Sequence, residues 1–253
     1  MYIFVCSPGR SGTKFISEIF KKVTNIPSYH GGEPKLREII DNRGHKESGL
    51  ARIEERVKLI KRLAVKDCYF ESSQIFIHTL SEKLVKEKMK PLYVINLLRD
   101  PMEVAVSYTN RNSFPSDRKN NWRLPLNSKE REVKVNRKLS IFQENLLDWI
   151  DCQVKLEKTK NRYEKVINLR FEDLNNIERL EELFNILNLK YDKKALRNFI
   201  RLDSKKSKNE NKKKTIIEKK YLKERDDLLN ILQKENNQLL DNILQKFFVK
   251  NSA

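Results

Sequence analysis

Two short stretches carry residues whose types and spacing suit the binding of phosphate or sulfate groups. The first is Ser7-Pro-Gly-Arg-Ser-Gly-Thr-Lys14, a glycine-bearing turn with two cations. Gly12 lets backbone approach an anion, Thr13 offers a hydroxyl and an N–H, and Arg10 and Lys14 offer positive charge. The Walker pattern needs four residues between its glycines and a lysine before serine or threonine, whereas Gly9 and Gly12 enclose only two residues. A grip on a γ-phosphate with a magnesium-bound hydroxyl is therefore not expected, and the loop reads as a shorter cradle. The second stretch is Leu98-Arg-Asp-Pro-Met-Glu-Val-Ala-Val-Ser107. Arg99 follows an apolar run, at the strand end where open α/β sheets bind ligands, and Ser107 adds a hydroxyl one or two helical turns later. Taken singly, each stretch also has a plain structural reading: a tight glycine turn, and an Arg99-Asp100 ion pair or helix cap.

The surrounding elements must bring these two stretches together. Tyr2-Ile-Phe-Val-Cys6 is an apolar run, and residues 13–23 repeat apolar side chains at helical spacing: Phe15, Ile16, Ile19, Phe20 and Val23. Strand, tight loop and helix in this order place N–H groups and a positive helix end at one edge of a parallel sheet. Further strands are expected at Cys68–Phe70, Leu92–Leu98 and Val166–Leu169, the second nearly continuous in apolar residues, as a strand covered on both faces should be. A bend at His30-Gly-Gly-Glu-Pro34 precedes a polar helical stretch to about Ala64. A helix beginning near Pro101, a surface loop over 110–127 and a helix over about Ser128–Lys158 follow. Beyond Arg170 the chain reads as helical, apart from a polar lysine-rich loop at 204–214. The final amphipathic helix, 215–249, carries Ile217, Tyr221, Leu228, Leu232, Leu239, Ile243 and Phe247 on one face, for packing on its own domain or pairing in a homodimer. The expected fold is α/β: a three-layer sandwich with a mostly parallel central sheet, P-loop NTPase-like, in a single domain over 1–253.

Composition bounds the partners. The 253 residues carry a formal net charge of +18, which favours anionic ligands such as nucleotides or acidic glycans. Cys6, Cys68 and Cys152 show no metal or redox spacing and read as reduced thiols. No stretch approaches the ~20 apolar residues that span a membrane, and no charged leader precedes the first strand, so a cytoplasmic setting is expected.

Together the two stretches resemble those of sulfotransferases that use 3′-phosphoadenosine 5′-phosphosulfate. The first loop is similar to the family's element for the 5′-phosphosulfate, where a basic residue precedes Ser-Gly-Thr; Arg10 stands where many members have lysine. The Arg99-to-Ser107 stretch resembles the family's 3′-phosphate element, and Asn168-Leu-Arg-Phe-Glu-Asp-Leu174 a third recurring stretch. The glycine-rich terminal nucleotide loop of cytosolic small-molecule sulfotransferases is absent. The resemblance implies sulfuryl transfer to a hydroxyl or amine without a metal. Arg10, and after it Lys14, would neutralise the departing phosphate oxygen, while backbone groups of Ser11, Gly12 and Thr13 would hold the 5′-phosphate. Arg99 and Ser107 would hold the 3′-phosphate.

An acceptor hydroxyl also needs a general base. Glu33 is the first candidate and His30 the second, since Gly31 and Gly32 let that bend approach the donor; glycan sulfotransferases resemble this arrangement. His78, beside Ile75, Phe76 and Ile77, reads as a packed histidine. The basic surface leans toward a carbohydrate acceptor, and no nucleic acid is expected as a partner. Two other functions compete: a P-loop kinase of a small molecule, and a non-enzymatic polyanion-binding module.

Overall fold

In the computed structural model, which describes residues 1–31, 46–74, 76–115, 126, 128, 130–209, 217–235 and 237–249, β1 spans Tyr2–Cys6 and is buried at every position. Both of its faces are covered. Tyr2, Phe4 and Cys6 point into one core with Val57, Ile60, Leu80, Leu84 and Leu156. Ile3 and Val5 point into another with Ile16, Ile19, Phe20, Leu180 and Phe184. This is why the strand reads as a continuous apolar run and not as an alternation.

The sheet has five strands in the order β2-β3-β1-β4-β5, all pairs parallel, with β2 at Ser28–His30, β3 at Tyr69–Ser73, β4 at Leu92–Leu98 and β5 at Lys165–Arg170. Helices α1 (Thr13–Val23), α6 (Ile177–Ile186) and α7 (Lys193–Asn209) cover one face. Helices α2 (Lys46–Leu63), α3 (Leu80–Lys86) and α5 (Ile141–Thr159) cover the other. A further helical core joins α4 (Pro101–Thr109) and α5 to α8 (Lys219–Leu232) and α9 (Gln238–Leu244). The α/β sandwich with a parallel sheet and a helical C-terminal part is thus the fold. From β1 the chain runs to the edge strand β2, returns through β3 and then crosses β1 to β4 and β5, so the switch point, where such sheets bind ligands, lies at the C-terminal ends of β1 and β4.

Several expected elements differ. The helix expected over Ser128–Lys158 begins only at Ile141, where Ser140 and Gln143 form a reciprocal capping box. Upstream, the Asp151 carboxylate takes the N–H groups of Glu132 and Val133 at 2.8 Å each, bonds incompatible with a helix there. The loop expected at 204–214 is helical as far as Asn209, within α7. The expected helix 215–249 is instead α8, a short 3₁₀ turn, α9 and a π turn at Gln245–Val249. Asn237 causes one break by capping α9, accepting from the N–H groups of Leu239 and Leu240. Its apolar face lies against this domain's α4 and α5, including Tyr221, Leu228, Leu232 and Ile243. Among the described residues, no helix is long and apolar enough to cross a membrane.

Candidate functional site

The loop after β1 owes its shape to three left-handed residues, Gly9 (φ 95°), Arg10 (φ 55°) and Gly12 (φ 85°). For a non-glycine residue such as Arg10 this conformation costs about 1–2 kcal/mol. Such turns gather N–H groups into an anion-binding concavity. Among the described residues, no acceptor takes the N–H groups of Ser11, Gly12 or Thr13. Helix α1 starts at Thr13 without a side-chain cap and without an acidic residue in its first turn. Its positive end therefore lacks a side-chain partner among the described residues.

The two glycines also serve packing. A Cβ on Gly9 would lie 2.1 Å from the Tyr108 hydroxyl, which donates to the Pro8 carbonyl at 2.9 Å. A Cβ on Gly12 would lie 2.5 Å from Leu174 and 3.1 Å from the Phe171 ring. The loop is thus clamped between α4 and the 168–174 stretch. Ser11 is fully buried and its hydroxyl donates to the Gly9 carbonyl at 3.0 Å, so only its N–H faces the concavity's chemistry. Lys14 is exposed on the first turn of α1.

Arg99, the residue after β4, brings the second stretch onto the first. Its Nη1 donates to the Arg10 carbonyl at 2.8 Å, and its guanidinium lies 4.8 Å from the centre of the Phe171 ring. Nε and Nη2 both donate to one oxygen of Glu103, at 3.0 and 2.9 Å. Asp100 caps α4 by accepting the Glu103 N–H at 2.9 Å, and Pro101 occupies the first turn. Arg10 Nε donates to Ser107 Oγ at 3.2 Å. Arg10, Arg99 and Ser107, remote in sequence, therefore share one corner. Burial, followed by repulsion from Arg111, lowers the pKa of Arg10, and Arg99 adds to the effect. Arg111, in the turn after α4, is a third cation, within the span expected as a surface loop.

On the other side of the loop, His30 is not in a bend but ends the edge strand β2, in register with Ser72 of β3. Its Nδ1 lies 2.8 Å from Ser72 Oγ, and that hydroxyl donates to the Thr13 carbonyl, also at 2.8 Å. Burial and then the charge of Lys14 hold the His30 pKa below the usual imidazole value, against Glu71 and Glu18. Glu33 lies outside the described residues. Neither Ser72 nor Arg111 had a motif to reveal it.

A cavity of about 800 Å³ opens beside this corner at the ends of β4 and β5, lined by Leu98, Arg99, Asp100, Asn168, Arg170 and Lys246 among others. Farther off, the His78 ring is nearly buried, with Nδ1 at 4.0 Å from the Asp151 carboxylate. Cys6 and Cys152 are buried free thiols with their sulfurs 3.7 Å apart. Among the described residues, no three His, Cys, Asp or Glu side chains are grouped to hold a metal ion.

Comparison with known proteins bears on this corner. Among solved structures, the sulfotransferase domain from the Synechococcus PCC 7002 olefin synthase is similar at 15% identity, covering 79% of this chain and 76% of that one, with a TM-score of 0.48. No curated protein matches the chain significantly. The family model described as sulfotransferase domain matches residues 2–237, a span that includes the 7–14 and 98–107 stretches and the strands that carry them. The chain belongs to the sulfotransferase domain family.

Proposed function

We propose that this chain moves a sulfuryl group from 3′-phosphoadenosine 5′-phosphosulfate to a hydroxyl, or an amine, of a carbohydrate acceptor. The observation that carries the reading is the convergence of Arg10, Arg99 and Ser107 on the uncapped end of α1. That corner offers N–H groups and cations with little carboxylate to oppose them, which suits a ligand bearing separate 5′ and 3′ anionic groups. The free N–H groups of Ser11, Gly12 and Thr13 would hold the 5′-phosphate. Arg99 and Ser107 would hold the 3′-phosphate, with Arg99 exchanging part of its contact with Glu103 for the ligand. Arg10 would face the bridging oxygen, where negative charge develops as the bond between sulfur and that oxygen breaks. As the acceptor oxygen bonds to sulfur it releases its proton to a base, for which His30 and Glu33 are the candidates. The products are the sulfated acceptor and adenosine 3′,5′-bisphosphate.

Binding tests the reading. Adenosine 3′,5′-bisphosphate, with a metal chelator present, should raise the unfolding midpoint; at a hundred times its Kd the gain is about 2.7 kcal/mol. Stabilisation by nucleoside triphosphate and magnesium alone would instead mark a kinase. Salt-sensitive binding of polyanions without any nucleotide effect would mark a polyanion-binding module. Labelled donor offered with glycans, lipids, phenols and tyrosyl peptides would then identify the acceptor.

A further inference from the structure

We infer that Ser72 is a positioning residue that fixes His30 in the tautomer able to accept a proton, making His30 the general base for the acceptor. The base chemistry rests on the sulfotransferase reading; the tautomer does not.

A serine hydroxyl has one proton to donate. Ser72 Oγ gives it to the Thr13 carbonyl, which has none to return. Toward His30, 2.8 Å away, Ser72 Oγ can then only accept, so Nδ1 must carry the hydrogen. A neutral imidazole has a single N–H, so the lone pair is on Nε2. Ser72 is fully buried, and its backbone is pinned by the β2–β3 register and by the Gly31 N–H donating to the Ser72 carbonyl at 2.9 Å. The hydroxyl therefore has no solvent alternative to these two partners.

The position suits the role. His30 ends its strand at the same sheet edge as the donor loop, and two hydrogen bonds connect Nδ1 to Thr13, the first residue of α1. The charged groups facing it are Lys14 and Glu18 from α1 and Glu71 from β3. Burial and then Lys14 lower the imidazole pKa, against Glu71, a backbone bond to Ser72 and Glu18, a shift toward the neutral form a base needs. Residue 30 is exposed overall, although its Nδ1 side is part-buried against Ser72, so a ligand can reach it.

The chain has 3 histidines, so long-range ¹H–¹⁵N spectra of labelled protein can be assigned by substitution. The expected result at neutral pH is a His30 protonated on Nδ1 alone, with that preference lost in Ser72→Ala. A His30 protonated on Nε2, or on both nitrogens, overturns the inference. Turnover supplies the second arm. His30→Asn keeps an amide N–H for Ser72 but removes the base; it should lower kcat by about 10²–10⁴-fold, abolish the acid limb of the pH profile and leave donor-nucleotide affinity unchanged. Ser72→Ala should lower kcat by roughly 10-fold, the scale of one hydrogen bond, again at unchanged donor affinity. Normal turnover in His30→Asn overturns the assignment and moves the base to Glu33. Normal turnover in Ser72→Ala with an unchanged tautomer reduces the bond to a structural one. Failure of the wild type to bind adenosine 3′,5′-bisphosphate would overturn the sulfotransferase reading, and the base role with it, whereas the spectra judge Ser72 alone.

Discussion

Arg99 and Arg131 are both withdrawn from solvent and both paired with carboxylates, yet they sit in opposite electrostatic settings. The Arg131 side chain is fully buried and meets two acids, Asp148 at 2.8 Å and Asp151 at 3.3 Å. Asp151 also takes two backbone N–H groups, so this cluster is closed. Around Arg99 the balance is reversed. Arg10, Arg99 and Arg111 crowd together, Arg99–Glu103 is the ion pair there among the described residues, and backbone N–H groups are left over. A fold that only needed an arginine for structure would neutralise it, as it does Arg131. Uncompensated positive charge at the switch point is what the proposed anion site requires.

The largest effect should come from breaking the closed cluster. Arg131→Met leaves two carboxylates without their cation, and such a loss costs about 3–5 kcal/mol. Denaturant unfolding should show it, while nucleotide affinity of the folded fraction stays as in the wild type. A pH signature accompanies it. Burial raises the pKa of Asp151 to about 6 from an ordinary 3.8. The native state therefore holds this proton more tightly than the unfolded chain does. The resulting stabilisation is fully present below about pH 3.8 and lost as pH rises through about 6. Asp151→Asn should flatten the stability profile across that interval. An unaltered profile would show that Asp151 does not titrate there.

On the other side of the comparison, Arg10→Ala should leave stability almost unchanged, or raise it slightly by relieving repulsion among the three guanidiniums. Turnover should fall by about 10²–10³-fold, the usual consequence of removing one group that stabilises developing charge. Equal stability loss in Arg10→Ala and Arg131→Met would erase the distinction between the two clusters. Arg99→Ala should cost roughly 1.5–3 kcal/mol of nucleotide affinity. The loss should appear with the 3′-phosphorylated nucleotide and not with adenosine 5′-phosphosulfate. An equal loss for both would make Arg99 a structural residue, holding the Arg10 carbonyl.

What the sequence revealed follows from how local each signal is. Strands β1 and β4 were legible because burial on both faces writes an unbroken apolar run. Arg10, Gly12, Arg99 and Ser107 were legible because loop and helix spacing is local. Strand β2 was not: it is three residues long, Ser28–His30, without a periodic pattern, so its last residue looked like part of a bend. Glu71 was hidden for the opposite reason. It is a charged residue inside a buried strand, its Oε2 held by Arg56 at 2.5 Å and by the Tyr69 hydroxyl at 2.7 Å. Nothing near Glu71 in sequence announces Arg56. Ser72 gains its meaning only from the pairing of β2 with β3 and the packing of α1 on both.

The smallest expected effect is also the finest test of the contrast. In the closed cluster a carboxylate is indispensable, whereas in the open corner Glu103 would compete with the proposed ligand for Arg99. Two of the three Arg99 nitrogens, Nε and Nη2, donate to one Glu103 oxygen, and a phosphate bound on that side would have to share or displace it. The pair spans one helical turn and is partly exposed, with side chains 17% and 26% accessible, so its own worth is only about 0.2–1 kcal/mol. Glu103→Gln removes the charge and keeps a shape able to accept one hydrogen bond. Stability should scarcely change, because Asp100 still caps α4 through the backbone N–H of residue 103. Affinity for adenosine 3′,5′-bisphosphate should rise by about 1.4- to five-fold, the same free energy returned as binding. The gain should vanish for a nucleotide without the 3′-phosphate. Weaker binding in Glu103→Gln would show that the carboxylate aims Arg99 at the ligand and does not oppose it, and the two clusters would then differ less than their charge balance suggests.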